Sequence, residues 1–372
     1  VSDDQTPEAD RVDGAPHPRD TQTLFGQQCA IDTFLTALNA DRLHHGWLIT
    51  GPLGVGKATL AWQIARFLLA TSDEADGGLF GGPPQYDSLL VDPEHPVARR
   101  IAARSEPGLY AITRSVNEKT GRLRDQIVID DVRGLTHFLH MSASDGGRRV
   151  VIVDSADEMN PNAANGLLKM LEEPPARTTL LLISHQPSRL LPTIRSRCRE
   201  LRLSPLSPED MHDALIQAQA EVQETPALAE LAAGSVGEAM RILRLDGLEI
   251  YNQLVQLFAT MPRFDRPRAL ALAETAAQRG AADKFELLLT LLDIFISRTA
   301  RTGATGHPPM TEAAPGEAEL LMRLAPDPLR ARAWATTAQE ISERSRHGRA
   351  VNLDPAALVL DTVFKIQKTA SA

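Results

Sequence analysis

The apolar residues of this chain switch between a helical period and unbroken runs, and each switch marks an element. Ile31, Phe34, Leu35 and Leu38 recur at helical spacing, after which Trp47-Leu48-Ile49 reads as a short buried strand. The segment GPLGVGKAT, from Gly51 to Thr59, interrupts the pattern, and Leu60, Ile64, Phe67 and Leu68 restore the helical period beyond it. Strand, glycine-rich loop and helix are therefore predicted in immediate succession. Val150–Val153 and Thr179–Ile183 are continuous β-branched and apolar runs, which suit strands of a parallel sheet buried on both faces. Between them Asn160-Pro161 offers an N-cap and first-turn pair. Ala164, Leu167, Leu168 and Leu171 form a helical stripe, and Pro174-Pro175 ends it.

After Leu203 the strand patterns fade. Ser207-Pro-Glu-Asp210 is a capping-box pattern opening a helix, with Leu206 placed to staple it. The remainder is rich in Ala, Leu, Glu and Arg at helical spacing, interrupted by a loop-like stretch from Arg301 to Glu317. Residues 73–88 are rich in glycine and proline and read as a loop. Residues 1–20 carry six acidic and two basic side chains and three prolines. That composition does not repay the entropy of ordering, so a disordered acidic tail is expected there. The expected organisation is thus this tail (1–20), an α/β domain (21–205), a small helical lid (206–245) and an all-helical C-terminal domain (246–372).

Composition narrows the function. With 372 residues the chain is long enough for two or three domains. Its formal net charge of -9 argues against a general DNA binder, because basic side chains supply that affinity. An aromatic content of 4% argues against a stacking platform for single strands. Any work on DNA is therefore expected to pass through an assembly. Cys29 and Cys198 are the two cysteines, far apart and outside any C-x-x-C pair, so neither a zinc site nor a disulfide framework is expected. The longest apolar stretch, Leu287–Ile296, is interrupted by Thr290 and Asp293 and falls short of a membrane span. The N-terminus shows no charged-then-apolar signal pattern, and a cytoplasmic protein is the expectation.

The candidate chemistry sits at the glycine-rich segment. Gly51, Gly54, Gly56 and Lys57 build a G-x-x-x-x-G-K pattern. In it glycines turn backbone N–H groups toward phosphate oxygens, and the lysine supplies a point charge. The plainer alternative is a glycine turn that only joins strand to helix. The pattern calls for Ser or Thr after the lysine to ligate magnesium, and this chain has Ala58. Thr59 comes one residue late, turned by about 100° on a helix. Asp154 ends its apolar run where a Walker B carboxylate would hold magnesium. The residue after it is Ser155, whose hydroxyl does not accept a proton near neutral pH. Asp157 and Glu158 read as solvated carboxylates near a helix start. The nucleotide-binding set is expected to be Gly51, Gly54, Gly56, Lys57, Thr59 and Asp154, for ATP or ADP, with no dedicated metal ligands.

Further motifs carry a family resemblance. They are Asn165-Gly-Leu-Leu-Lys-Met-Leu-Glu-Glu-Pro-Pro175, Ser196-Arg197-Cys198, Phe25-Gly26-Gln27, His45-Gly-Trp47-Leu48 and Gly234-Ser-Val236. Together, over roughly residues 24–245, they resemble the clamp-loader branch of the AAA+ family. The resemblance implies an α/β P-loop domain with a parallel sheet, a small helical lid and an all-α C-terminal collar. It implies as partners the gamma/tau and delta subunits of a bacterial clamp loader, the sliding clamp, and primed DNA reached through the complex, with no membrane. It also implies that Arg197 is an arginine finger, catalytic in trans on a neighbour's γ-phosphate, for which a permanently charged fork is suited. The competing reading is one surface arginine among Arg189, Arg195, Arg199 and Arg202.

ATPase members of that family keep the hydroxyl, a glutamate after the Walker B aspartate and a lid arginine. Here Ala58, Ser155 and Gly237 stand in those places. The resemblance therefore implies a subunit that stimulates its neighbour within a replicative polymerase holoenzyme without hydrolysing ATP itself. Family members often carry a four-cysteine zinc module after the phosphate loop. Residues 70–110 contain no cysteine, so no zinc is assigned. Two other readings stay open. An active gamma/tau-type ATPase is favoured by Lys57 and Asp154 and opposed by the three losses. A stand-alone P-loop kinase or nucleotide switch leaves the S-R-C and L-E-E-P-P segments without a role.

Overall fold

The computed structural model describes residues 8–71, 84–117, 119–140, 147–220, 225–261, 265–278, 280–351 and 353–371. They form two compact units, residues 1–221 with 234–237, and residues 222–233 with 238–372. The expected lid does not stand alone in this division, since its parts are shared between the two units.

The first unit is built on strands β1 (Gly46–Thr50), β2 (Leu109–Ile112), β5 (Arg149–Val153), β6 (Thr178–Ser184) and β7 (Arg199–Arg202), with a small β3 (Val116–Asn117) and β4 (Arg122–Leu123) hairpin beside them. The five strands run parallel in the order β2-β5-β6-β1-β7. Every residue of β1 and β6 is buried, which is why their sequences show apolar runs without alternation. At the edge, β7 buries only Leu201 and exposes Arg199, Glu200 and Arg202, so it carries no such run. Helices α1 (Gln28–Asn39), α2 (Lys57–Ala70), α3 (Pro96–Ala102), α4 (Ile129–His140), α5 (Pro161–Glu172), α6 (Pro192–Arg195) and α7 (Pro208–Gln217) belong to this unit. One face of the sheet buries Val151, Val153, Leu180 and Leu182 against Val132 and Leu135 of α4 and Leu167 and Leu171 of α5. Each such side chain contributes about 1.5–3 kcal/mol on burial.

The helix starts follow their caps. The Asn160 side chain accepts a hydrogen bond from the Ala163 N–H ahead of Pro161, and the Ser207 hydroxyl accepts one from the Asp210 N–H ahead of Pro208. Leu206 is buried beside the second cap.

The N-terminal stretch departs from the expected disordered tail. Residues 1–7 lie outside the described residues, but residues 8–20 are seated against α2. His17 and Arg19 are buried. His17 pairs with Asp10 at 3.0 Å, and Arg19 with Glu8 at 2.7 Å. The His17 ring meets Trp62 of α2 edge-on, Arg19 lies 5.9 Å over the same ring, and Arg66 donates 2.7 Å to the Arg19 carbonyl. Charge pairing and contact with one tryptophan order this segment where apolar burial of its own does not. The expected loop at 73–88 lies largely outside the described residues, and its end, residues 84–88, has no helix or strand.

The second unit is helical: α8 (Thr225–Ala232), α9 (Val236–Arg244), α10 (Gly247–Ala259), α11 (Arg266–Ala277), α12 (Ala282–Thr305), α13 (Glu317–Leu324), α14 (Pro328–Ala350) and α15 (Pro355–Ser371), with the first residues of α9 counted in the first unit. The stretch read as loop from Arg301 is helical as far as Thr305, and the loop begins at Gly306, where φ is 74°. Two features keep that last turn helical. Thr302 and Thr305 donate their hydroxyls to carbonyls four residues back, and Gly303 packs on Ala325 and Ala331 where a Cβ would stand 2.8 Å from the Ala325 Cβ.

A charge cluster holds this unit together. Glu317 is fully buried, and its carboxylate accepts from Tyr251 Oη at 2.6 Å, Arg298 Nε at 2.7 Å and the Ala313 N–H at 2.7 Å. Arg298 also reaches Glu230 at 2.8 Å. Removing one partner strands the other in the interior, at a cost of about 3–5 kcal/mol. Glu317→Ala is accordingly expected to lower unfolding stability by that amount in denaturant titration of the full chain. Glu230→Ala, which removes the more exposed partner, should cost far less.

Candidate functional site

The phosphate loop leaves β1 and enters α2 through three glycines in left-handed backbone, Gly51 (φ 140°), Gly54 (φ 75°) and Gly56 (φ 96°). Other residues are strained there. Lys57 opens α2 and is buried. Its ammonium donates to the Gly51 carbonyl at 2.7 Å and to the Pro52 carbonyl. Burial pulls its pKa down to about 8, against the opposing charges of Asp154 and Asp157. Ala58 and Thr59 follow on the first turn, both half-buried.

Asp154 ends β5, and its N–H donates 2.9 Å to the Ile112 carbonyl of β2. Its carboxyl is pushed up to about 7 by burial and by the nearby carboxylate of Asp10, against the Ser155 N–H and Lys57, which lower it. Ser155 takes a left-handed conformation (φ 57°), and its hydroxyl stands 3.2 Å from His185 Nε2. The His185 ring is pushed down to about 4 by burial and by the charge of Lys57. Asp157 is not the freely solvated carboxylate expected. It accepts from the backbone N–H groups of His185 (2.9 Å) and Gln186 (3.2 Å), tying the exit of β6 to that of β5. Glu158 pairs with Arg114 at 2.9 Å. Sequence reading passed over His185. Its one signal was a polar residue directly after an apolar strand, the position Asp154 holds after β5.

Gly237 closes on the loop from the other side. Its N–H donates 3.2 Å to the Gly54 carbonyl, and a Cβ there would stand 3.1 Å from Gly54 Cα. Two bare backbones meet where the family resemblance called for a lid arginine.

Arg197 makes a different set of contacts. It lies between α6 and β7, where NH2 pairs with Glu172 at 2.9 Å and NH1 donates 3.0 Å to the Thr193 carbonyl. Its side chain is 36% exposed, so the guanidinium is oriented yet reachable. Gly46 of β1 packs on the same turn, with a Cβ position 3.2 Å from the Arg197 carbonyl and 3.4 Å from Cys198 Sγ. Burial raises the Cys198 thiol to about 12, which leaves it an inert packing group. The neighbouring Arg199 lies over the Trp47 ring at 5.4 Å.

The profile of the family described as "DNA polymerase III, delta subunit" matches residues 26–207. The DNA polymerase III subunit delta' of Pseudomonas aeruginosa is 39% identical over 218 residues, 57% of this chain and 59% of that one. Its counterparts from Escherichia coli (31% over 230 residues, 61% and 63%) and Bacillus subtilis (32% over 213 residues, 56% and 57%) match over similar spans. Over these spans the chain is similar to delta' subunits of DNA polymerase III. The match spans about three fifths of each relative's own length. The first unit is an α/β fold, with a five-stranded parallel sheet and the glycine-rich loop between β1 and α2. Among the described residues no helix is long and apolar enough to cross a membrane.

The structure brings together Gly51, Gly54, Gly56, Lys57 and Asp154 of the expected nucleotide set, and holds Arg197 on other partners. Three glycines in left-handed backbone are what a phosphate-holding loop would need. A hydrolytic magnesium site does not fit, because Ala58 offers no oxygen and the Ser155 hydroxyl faces His185. The buried Asp154 carboxyl gives a pH test. Its folded pKa lies above the unfolded one, so the stability it contributes is present at low pH and lost as pH rises from about 4 to about 7. Asp154→Asn should match the parent near pH 4 and exceed it by a few kcal/mol above pH 7, read by denaturant unfolding across that range.

Proposed function

We propose that this chain is a non-hydrolysing subunit of the bacterial DNA polymerase III clamp loader, helping to load the sliding clamp onto primed DNA in the cytoplasm. In this reading Arg197 serves as an arginine finger toward ATP held by a neighbouring gamma/tau-type subunit. The observation that carries it is a contrast within one unit. The chain's own site lacks the magnesium hydroxyl at Ala58, the base at Ser155 and the lid arginine at Gly237, whereas Arg197 is positioned by Glu172 and half-exposed. Residues 21–205 would then form the motor-like domain, 206–245 the lid, and the helices of 246–372 the collar that meets gamma/tau and delta. ATP or ADP in its own loop would have a structural role, and zinc none.

One specific observation favours a second reading, an active gamma/tau-type ATPase: Lys57 and Asp154 are both present and electrostatically coupled. ATP turnover by the isolated chain would establish it.

The finger reading has its own test in the reconstituted complex. A finger in phosphoryl transfer is worth about 10³–10⁵ in rate at its own site, and one site among several should show a smaller share in bulk turnover. Arg197→Ala should leave assembly intact and lower DNA- and clamp-stimulated ATP hydrolysis several-fold. Arg197→Lys should recover little of it, since an ammonium lacks the fork. Arg189→Ala and Arg202→Ala, measured alongside at two salt concentrations, should be near the parent. Equal, salt-sensitive losses at all three positions would instead show a basic surface that meets DNA.

A further inference from the structure

Residues 8–24 touch the phosphate-loop site at several separate points. Val12 lies against the lid glycine, its Cγ2 3.6 Å from where a Gly237 Cβ would stand, and Gly237 itself rests on Gly54. Leu24 fills the space beside Gly56, with Cδ1 2.5 Å from that glycine's Cβ position. Asp10 is close enough to Asp154 for the two carboxylates to repel each other. Behind these points the segment is fastened to α2, the helix that Lys57 begins. His17 and Arg19 share the Trp62 ring, and Arg66 donates to the Arg19 carbonyl. The Asp10 carboxylate is 10% exposed and the His17 ring 4% exposed, at 3.0 Å from each other, so neither is buried without its partner. Apolar contacts at Gly237 and Gly56 and a negative charge near Asp154 thus come from one segment.

We propose that residues 8–20 are an intramolecular ligand of the phosphate-loop site, an acidic segment that occupies the approach to Gly54 and Asp154 and excludes nucleotide while it is seated. The proposal rests on reading Gly51–Lys57 as a phosphate loop and is independent of any role for Arg197. Its physical basis is mutual exclusion. A triphosphate entering at Gly54 would meet Val12 beside Gly237 and add negative charge near Asp10 and Asp154, so binding requires the segment to shift. The anchors at His17 and Arg19 then set how readily it leaves. A lining role would act in the opposite direction, because a segment forming one wall of a nucleotide pocket raises affinity when seated.

The test is the affinity of the full chain for a fluorescent ATP analogue, measured with and without magnesium. His17→Ala combined with Arg19→Ala removes the anchors on Trp62 and is expected to tighten binding at least tenfold over the parent. Amide hydrogen exchange should show residues 8–20 protected in the parent and unprotected in the variant. Because burying an altered surface on α2 risks misfolding, Glu8→Gln combined with Asp10→Asn provides a milder release. It alters only the charge pairs, and a smaller tightening is expected. Affinity that is unchanged, weaker, or undetectable in the parent and in both variants overturns the proposal, since the segment is then not what keeps nucleotide out. None of these outcomes bears on Arg197, whose test reads a neighbour's turnover.

Discussion

A buried ammonium must find oxygen ligands, and the way Lys57 finds them conditions the rest of the first unit. Its nitrogen is bonded to the Gly51 and Pro52 carbonyls of its own loop, at the head of a helix whose next residues pack under the sheet. Several polar groups around it also bond inward. Ser155 meets His185, Asp157 ties down the two backbone N–H groups after β6, and Gly237 donates to Gly54. These bonds tie the ends of β5 and β6 together through Asp157 and His185, and the loop after β1 to Gly237. Unpaired polar groups are expensive in an interior, and Ala58 adds none at the head of α2.

The same economy explains what remains outward. Arg197 is carried by a turn that Gly46, Cys198 and Glu172 fix from three sides, and the turn presents the guanidinium without burying it. The groups around Lys57 thus bond inward, while Arg197 stays reachable from outside.

Much of this was legible in the sequence, and the physical reason is burial. β1, β5 and β6 are buried on every or nearly every residue, and α5 begins with a capping pair and ends before two prolines, so each leaves an unambiguous pattern. The edge strands β2 and β7 escape such reading because neighbours on one side and solvent on the other leave them with mixed side chains. The last turn of α12 was hidden by Gly303, which looks like a breaker in sequence and is a packing contact in space. Residues 8–20 were hidden for a different reason. Their order comes from pairs such as Asp10–His17 and from a tryptophan some forty-five residues away, neither of which a local composition can reveal. His185 acquires its meaning only when β6 is laid beside β5.

In the proposed function, the chain's own loop is catalytically silent inside an active assembly. The most direct measurement is steady-state ATP hydrolysis by the reconstituted clamp loader, stimulated by clamp and primed DNA, in which this chain alone carries Lys57→Ala. Turnover within experimental error of the parent complex is the expected result. A loss comparable to that produced by replacing the phosphate-loop lysine of a gamma/tau-type partner would contradict it.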